Sequence, residues 1–334
     1  MSGIYTAPHL EELRQALQTI IAGWGLSSQT RLTLLNTSEN ATFLGTDPCR
    51  PNPVVFRVHR PGYHELDEIR SELAWIDAIR QDGIIETPAI VRLHNGEVVA
   101  QLQTPTTARH VVAFEYMTGQ EPQVDLSLLP RFNLLGAISA RLHLYSRAWR
   151  RPVWFRRKTW DLQTTIGTDP HWGDWRDAPG LTVAGTRLLT RCVAQLHSQL
   201  GGFGTDANRF GLIHADLRLA NLLDDGHRLG VIDFDDCGFS WYLYDFAAAV
   251  SFLETEPLIP DLAAAWAEGY RSVTPLPASE EAWLPVFVML RRIVLTAWLA
   301  RHEETTTGLR HARDYTAGTL DLAEAYLSRP AESA

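Results

Sequence analysis

The sequence predicts an α+β fold of two lobes, a small N-lobe built on a mixed β-sheet and a larger, mainly helical C-lobe. Three observations carry this expectation. Short strand-like runs crowd the stretch from Arg31 to Met117, helical periodicity dominates after Gly119, and 334 residues are more than one compact core ordinarily serves. The boundary falls at the change of texture, giving lobes 1–118 and 119–334.

The elements follow in order. Leu13, Ala16, Leu17, Ile20 and Ile21 recur at helical spacing, so Leu10 to Trp24 reads as an opening helix stopped by Gly23 and Gly25. Leu32 to Leu35, Thr42 to Leu44 and Val54 to Val58 read as strands, with a proline turn at Arg50 to Pro53. Leu66 to Arg80 is a helix with Leu66, Ile69, Leu73, Ile76 and Ile79 on one face, ended by Asp82-Gly83. Ala89 to Leu93 and Val98 to Leu102 flank Asn95-Gly96 and predict a hairpin, because Asn-Gly accepts positive φ. His110 to Met117 is a further strand. Helices are then expected over Leu129 to Ser146, Thr182 to Leu200, Trp241 to Leu253, Leu262 to Tyr270, Glu280 to Arg301 and Arg310 to Leu327. A short helix is expected near Asp161 to Ile166, and Ser328 to Ala334 reads as a loose tail.

Composition narrows the function. Thirty-nine acidic against thirty basic residues give a formal net charge of −9, which disfavours broad attraction to nucleic acid or anionic membrane. The three cysteines, Cys49, Cys192 and Cys237, are too scattered for a disulfide scaffold or a metal cluster. No leader pattern opens the chain and no run of eighteen apolar residues occurs, so a cytoplasmic location is expected. Lys158 is the one lysine among the thirty basic residues, which leaves amine chemistry a single candidate. Five of the eleven tryptophans lie between Trp149 and Trp175, where packing is the expected role. That stretch also carries Arg150, Arg151, Arg156 and Arg157, with Arg147 just before it, a cluster suited to a carboxylate, phosphate or acidic peptide unless it is simply solvated.

The densest polar information lies between Gly211 and Asp245. Two short apolar strands, Asn221 to Leu223 and Gly230 to Ile232, flank a turn at Asp224 to His227. Such a hairpin brings Asn221 near Asp233 and holds Asp216 in the preceding loop. An amide oxygen and a carboxylate are hard ligands suited to Mg2+, and Asp216 is then free to orient or deprotonate an attacking hydroxyl. The alternative is that these side chains only cap turns.

His214, Asp216 and Asn221 keep the His-x-Asp-x-x-x-x-Asn spacing of a protein-kinase catalytic loop, and Asp233-Phe234 follows where that fold places its metal-binding pair. His214-Ala215-Asp216, Ile232 to Asp236 and Tyr244-Asp245 resemble more closely the superfamily of aminoglycoside phosphotransferases, choline kinases and type II homoserine kinases. The likeness extends to Ser38-Glu39-Asn40, Arg57, Glu72, Gly119 and Ala140 to His143. Glu39-Asn40, Arg60-Pro61, Glu72 to Trp75 and Arg156-Arg157 resemble its bacterial stress-response and homoserine-kinase-like branch.

The resemblance implies a bilobal protein-kinase-like fold, ATP and Mg2+ as cofactors, and phosphoryl transfer to an alcohol. Asp216 would be the catalytic carboxylate, Asn221 and Asp233 the metal ligands, with Asp235 a further acidic position. His214 would support the loop and Asp245 would tie it down. Residues 1–118 would bind the nucleotide through Arg57 and Glu72, through the Thr37 to Ala41 turn with Ser38 and Asn40, and through the linker at Met117. Residues 119–334 would carry catalysis and acceptor binding. Arg57 stands where protein kinases carry lysine, as in choline kinases, and a surface ion pair with Glu72 is the competing account. The acceptor is either a small hydroxyl-bearing molecule, cationic if Asp235 and Asp236 face it, or a protein Ser/Thr. A nonenzymatic nucleotide-binding scaffold on the same fold is the alternative of a different class.

Overall fold

The computed structural model describes residues 5–105, 107–302 and 305–328. It divides into two compact units: Met1–Thr118 with Arg151–Arg156 and Glu304–Thr306, and Gly119–Arg150 with Arg157–Glu303 and Thr307–Ala334. The tail beyond Ser328 lies outside the described residues.

The first unit contains α1 (Ala7–Ile20), β1 (Arg31–Thr37), β2 (Ala41–Thr46), β3 (Val54–Val58), α2 (Leu66–Gln81), β4 (Ala100–Gln103) and β5 (Ala108–Glu115). The strands form one sheet in the order β1-β2-β3-β5-β4, each neighbouring pair antiparallel. Alternation in β2 and β3 sends Phe43, Val54, Phe56 and Val58 inward, where they meet Leu13 and Leu17 of α1 in one core. Trp24, at the end of a short 3-10 turn after α1, packs edge-on to Phe56 with ring centroids 5.2 Å apart. Helix α2 begins at a reciprocal capping box between Glu65 and Glu68 and buries Ile69, Leu73, Ile76 and Ile79 along the expected stripe.

The hairpin expected from Ala89 to Leu102 is only half formed. The turn is present, with Gly96 at φ 85° and the Leu93 carbonyl accepting from Gly96, but 89–99 contribute a single bridge, from Ile90 to Phe114. The ladder starts at Ala100 because β4 pairs with β5, not with the preceding segment. Sequence alternation registers a possible strand without identifying its partner.

The second unit contains α3 (Leu128–Ala148), α4 (Leu162–Thr165), α5 (Val183–Phe203), β6 (Phe210–Ile213), β7 (Leu222–Asp224), β8 (Leu229–Val231), β9 (Gly238–Trp241), α6 (Tyr244–Ala249), α7 (Ile259–Arg271), α8 (Ala278–Glu281), α9 (Leu284–Arg301) and α10 (Thr306–Ser328). Helices α3 and α7 approach closely through glycines. A Cβ on Gly136 would lie 1.9 Å from the Trp266 carbonyl oxygen, and one on Gly269 would lie 1.7 Å from that of Asn133. Two expected helices are revised. Trp241 to Leu253 yields only α6, because Trp241 closes the β6–β9 ladder opposite Phe210. Glu280 to Arg301 divides into α8 and α9, with Pro285 in the first turn of the second helix, where its missing N–H costs nothing. The stretch Ala278–Arg301 has the length and hydropathy of a membrane span, yet 83% of its most apolar window is buried inside the protein.

Trp160, Trp172 and Trp175 are buried, and Trp160 meets Trp172 edge-on at 5.0 Å, so much of the tryptophan-rich segment is core. The neighbouring arginines do not act as one patch. Buried Arg157 donates from Nε to the Cys237 carbonyl at 2.6 Å and from a terminal nitrogen to that of Asp235, bracing the turn between them. Arg147 lies over the Tyr242 ring and donates to the Asn208 carbonyl at 2.7 Å.

Candidate active site

In the second unit β6 delivers His214 into a loop that is tied down at each successive residue. Ala215, a non-glycine residue, adopts φ 66° in the left-handed region. Its N–H donates to Asp245 Oδ1 at 2.8 Å, while Asp245 Oδ2 lies 2.8 Å from His143 Nε2 and His143 Nδ1 lies 3.1 Å from the Tyr270 hydroxyl. Asp245 and His143 are both fully buried. The chain from α7 through α3 to α6 thus holds one strained peptide.

His214 is also fully buried. Its Nδ1 accepts from the Asp216 N–H at 3.3 Å, and its Nε2 lies 3.1 Å from the Ile232 carbonyl, to which it donates. Both ring nitrogens are thus engaged by the main chain on either side, which fixes the imidazole beneath the loop.

Asp216 follows, its carboxylate held from both sides. The Asn221 amide donates to Asp216 Oδ2 and to the Asp216 carbonyl, each at 2.8 Å, and Arg218 Nε lies 3.3 Å from Oδ2. A terminal nitrogen of Arg291 donates to Oδ1 at 2.5 Å. Burial alone would raise the Asp216 pKa, but the guanidinium charges of Arg218 and Arg291 outweigh it and hold the carboxyl below its ordinary range. The group is therefore an anion with a fixed orientation, suited to aligning a hydroxyl more than to strong proton abstraction.

Asn221 ends the 3-10 turn that enters β7, and its main-chain oxygen accepts from Ile232 at 2.9 Å, which draws residue 233 alongside. Because the Asn221 side-chain nitrogen is spent on Asp216, its amide oxygen is the end left for a hard cation. Asp233 is exposed and sits at φ 61°, ψ 69°, a left-handed conformation that non-glycine residues adopt mainly where the surroundings impose it. Asp235, in the 3-10 turn Phe234–Asp236, is buried. No group of three or more His, Cys, Asp or Glu with metal-binding geometry occurs among the described residues. An ion here would rely on one amide oxygen, one or two carboxylates and ligands brought by substrate, a donor set that fits Mg2+ better than zinc.

In the first unit, Arg57 on β3 and Glu72 on α2 form a forked ion pair, one guanidinium nitrogen 2.7 and 2.6 Å from the two carboxylate oxygens, with side-chain exposures of 6% and 0%. It is buried, which removes the surface-pair account. The Thr37 to Ala41 turn joins β1 to β2, and the Ser38 N–H donates to the Asn40 carbonyl at 3.1 Å. The Asn40 side-chain oxygen accepts from the Arg60 N–H at 3.1 Å, and Glu39 pairs with the Arg60 guanidinium at 2.9 Å. The Glu39 and Asn40 side chains therefore shape the turn from within. Met117 is half-buried just beyond β5.

Sequence reasoning missed Arg291 and Arg218. The signal for the first was present: two adjacent arginines interrupt the apolar run of α9, and a charge in such a helix needs a partner.

The chain as a whole is similar to known proteins. The model of the phosphotransferase enzyme family matches residues 32–283. A microcompartment-associated aminopropanol kinase of known structure is 44% identical, with a TM-score of 0.86 over 94% of this chain and 97% of that one. Homoserine kinase from Methylobacillus glycogenes is 32% identical over 75% of each chain. An amicoumacin kinase solved with AMP-PNP and Ca2+ shares the fold, at 19% identity and a TM-score of 0.74 over 96% of this chain and 95% of that one.

Proposed function

This chain belongs to the phosphotransferase enzyme family, and we propose that it moves the terminal phosphoryl group of ATP to the hydroxyl of a small amino alcohol. The observation that carries the reading is the Asp216 carboxylate, ionised and held by Asn221, Arg218 and Arg291 within a loop of kinase spacing. The 44% identity to an aminopropanol kinase supports the acceptor class. Homoserine, the substrate in the name of the Methylobacillus relative, is also an amino alcohol but adds a carboxylate.

Asp216 would accept a hydrogen bond from the acceptor hydroxyl and aim its oxygen at the γ-phosphorus. The transition state of such transfers is loose, so alignment and charge placement matter more than base strength. A carboxylate held below its ordinary pKa suits that role. Asn221 and Asp233 would hold Mg2+, which supplies charge compensation for the phosphates when bound. Arg57, held by Glu72, would carry the positive charge that faces the nucleotide phosphates. The turn at Ser38 and Asn40 and the strand end at Met117 would complete the nucleotide site.

The test is a panel of aminopropanols, ethanolamine, choline, homoserine, an aminoglycoside and a Ser/Thr protein substrate, incubated with ATP and Mg2+ and read by direct identification of the phosphorylated product. The reading expects an O-phosphorylated small amino alcohol. Phosphoprotein or phosphorylated aminoglycoside as the sole product overturns the acceptor class, and Mg-dependent ATP binding without any product favours the scaffold alternative.

A further inference from the structure

We infer that Arg291, reaching from the middle of α9, is a positioning residue that fixes the plane and direction of the Asp216 carboxylate. The inference rests on the reading of Asp216 as the group that aligns the acceptor, and it concerns a side chain outside the catalytic loop and the metal-binding pair.

Arg291 is 1% exposed within a helix that is otherwise apolar over most of its length. An uncompensated guanidinium there would be strongly destabilising, because it would lose its hydration without gaining partners. Its donors are instead distributed over the loop and its supports. Nη2 donates to Asp216 Oδ1 at 2.5 Å, Nη1 to the Ala215 carbonyl at 3.3 Å and the Tyr244 hydroxyl at 3.4 Å, and Nε to Ser251 Oγ at 3.0 Å. The guanidinium carbon lies 5.0 Å from the Trp172 ring centroid and 5.7 Å from that of Tyr244, so aromatic faces confine it. Buried and committed in this way, Arg291 is not presented to an incoming phosphate. Its effect passes through Asp216.

The geometry is complementary to that on the other carboxylate oxygen. Asn221 and Arg218 approach Oδ2 and Arg291 approaches Oδ1, so that without Arg291 the carboxylate is held at one oxygen only. Lysine could preserve charge at position 291 but not the fork that holds Ala215 and Asp216 together. Asp216 would then turn about its side-chain bonds, and a misplacement of about 1 Å at a reacting group can cost roughly 100-fold in rate.

The experiment uses the full chain with Arg291→Met and Arg291→Lys, in two arms. Crystal structures read the carboxylate directly: a rotated or multiply oriented Asp216 side chain is expected in both variants, and an unmoved one overturns the inference. Steady-state kinetics with ATP and the responsive amino alcohol should show kcat reduced roughly 100-fold with the KM for ATP unchanged. Unchanged kcat in a folded variant overturns the inference, as does a loss confined to the KM for ATP. If Arg291→Met fails to fold, Arg291→Lys, which retains charge and much of the volume, decides both arms. Wild-type protein that phosphorylates no amino alcohol overturns the substrate reading separately, and the crystal structures still decide Arg291.

Discussion

Asp245 accepts the N–H of Ala215 at 2.8 Å, and Ala215 is the residue that turns the chain through φ 66° immediately before Asp216. A left-handed alanine costs about 1–2 kcal/mol relative to its ordinary conformations, so something must hold it there. Asp245 does so from α6 and is itself held by His143. Replacing Asp245 by alanine leaves a buried N–H unsatisfied and should destabilise the protein by about 1–3 kcal/mol. It should also lower kcat, because Asp216 is the next residue. Chemical denaturation and steady-state kinetics check both, and full activity in a destabilised Asp245→Ala would separate the tether from catalysis.

The Arg57–Glu72 pair should behave as a buried one. Removing either partner strands the other charge away from water, and Glu72→Ala should cost about 3–5 kcal/mol by urea unfolding. A loss under about 1 kcal/mol would mark a solvated pair. Of the folded molecules, Arg57→Met should bind ATP more weakly while leaving the acceptor KM unchanged, as seen by calorimetry and initial rates.

Stability should fall on the acid side of neutrality. Burial holds His143 below its ordinary pKa, with the Asp245 hydrogen bond opposing it only in part, and burial lowers His110 and His171 likewise. Below the unfolded value of about 6.5 the unfolded chain takes up protons that the folded chain resists. Stability therefore declines as pH drops through that value toward the folded pKa values, and these groups impose no slope above it. Melting temperatures across that range should decrease toward acid, and His143→Gln should flatten part of the decrease. A Tm that rises on acidification contradicts the assignment.

Much of this was legible in the sequence where the information is local. Asp216 and Asn221 are joined by four residues that run into a single 3-10 turn at Leu219–Asn221, and the hairpin of β7 and β8 was set by its own apolar pairs and the turn between them. Helix α2 announced itself through the Leu66 to Ile79 stripe. What was not legible depends on partners distant along the chain. Arg291 meets Asp216 across 75 positions, so neither neighbourhood names the other. Ala89 to Leu93 had strand-like alternation but meets a strand only at the single bridge from Ile90 to Phe114 of β5. At Trp241, strand and helix periodicity overlap in a short apolar run, and tertiary pairing with Phe210 decides between them.

The measurement that bears most directly on the whole account is turnover by Asp216→Asn, with phosphorylated product identified and ATP affinity measured in parallel. Asparagine keeps the shape of the side chain but removes the anion that Arg291, Arg218 and Asn221 hold. We expect kcat to fall by at least roughly 100-fold while the protein stays folded and binds Mg-ATP as before. Turnover close to that of the wild type would contradict it and would remove Asp216 from the centre of the mechanism.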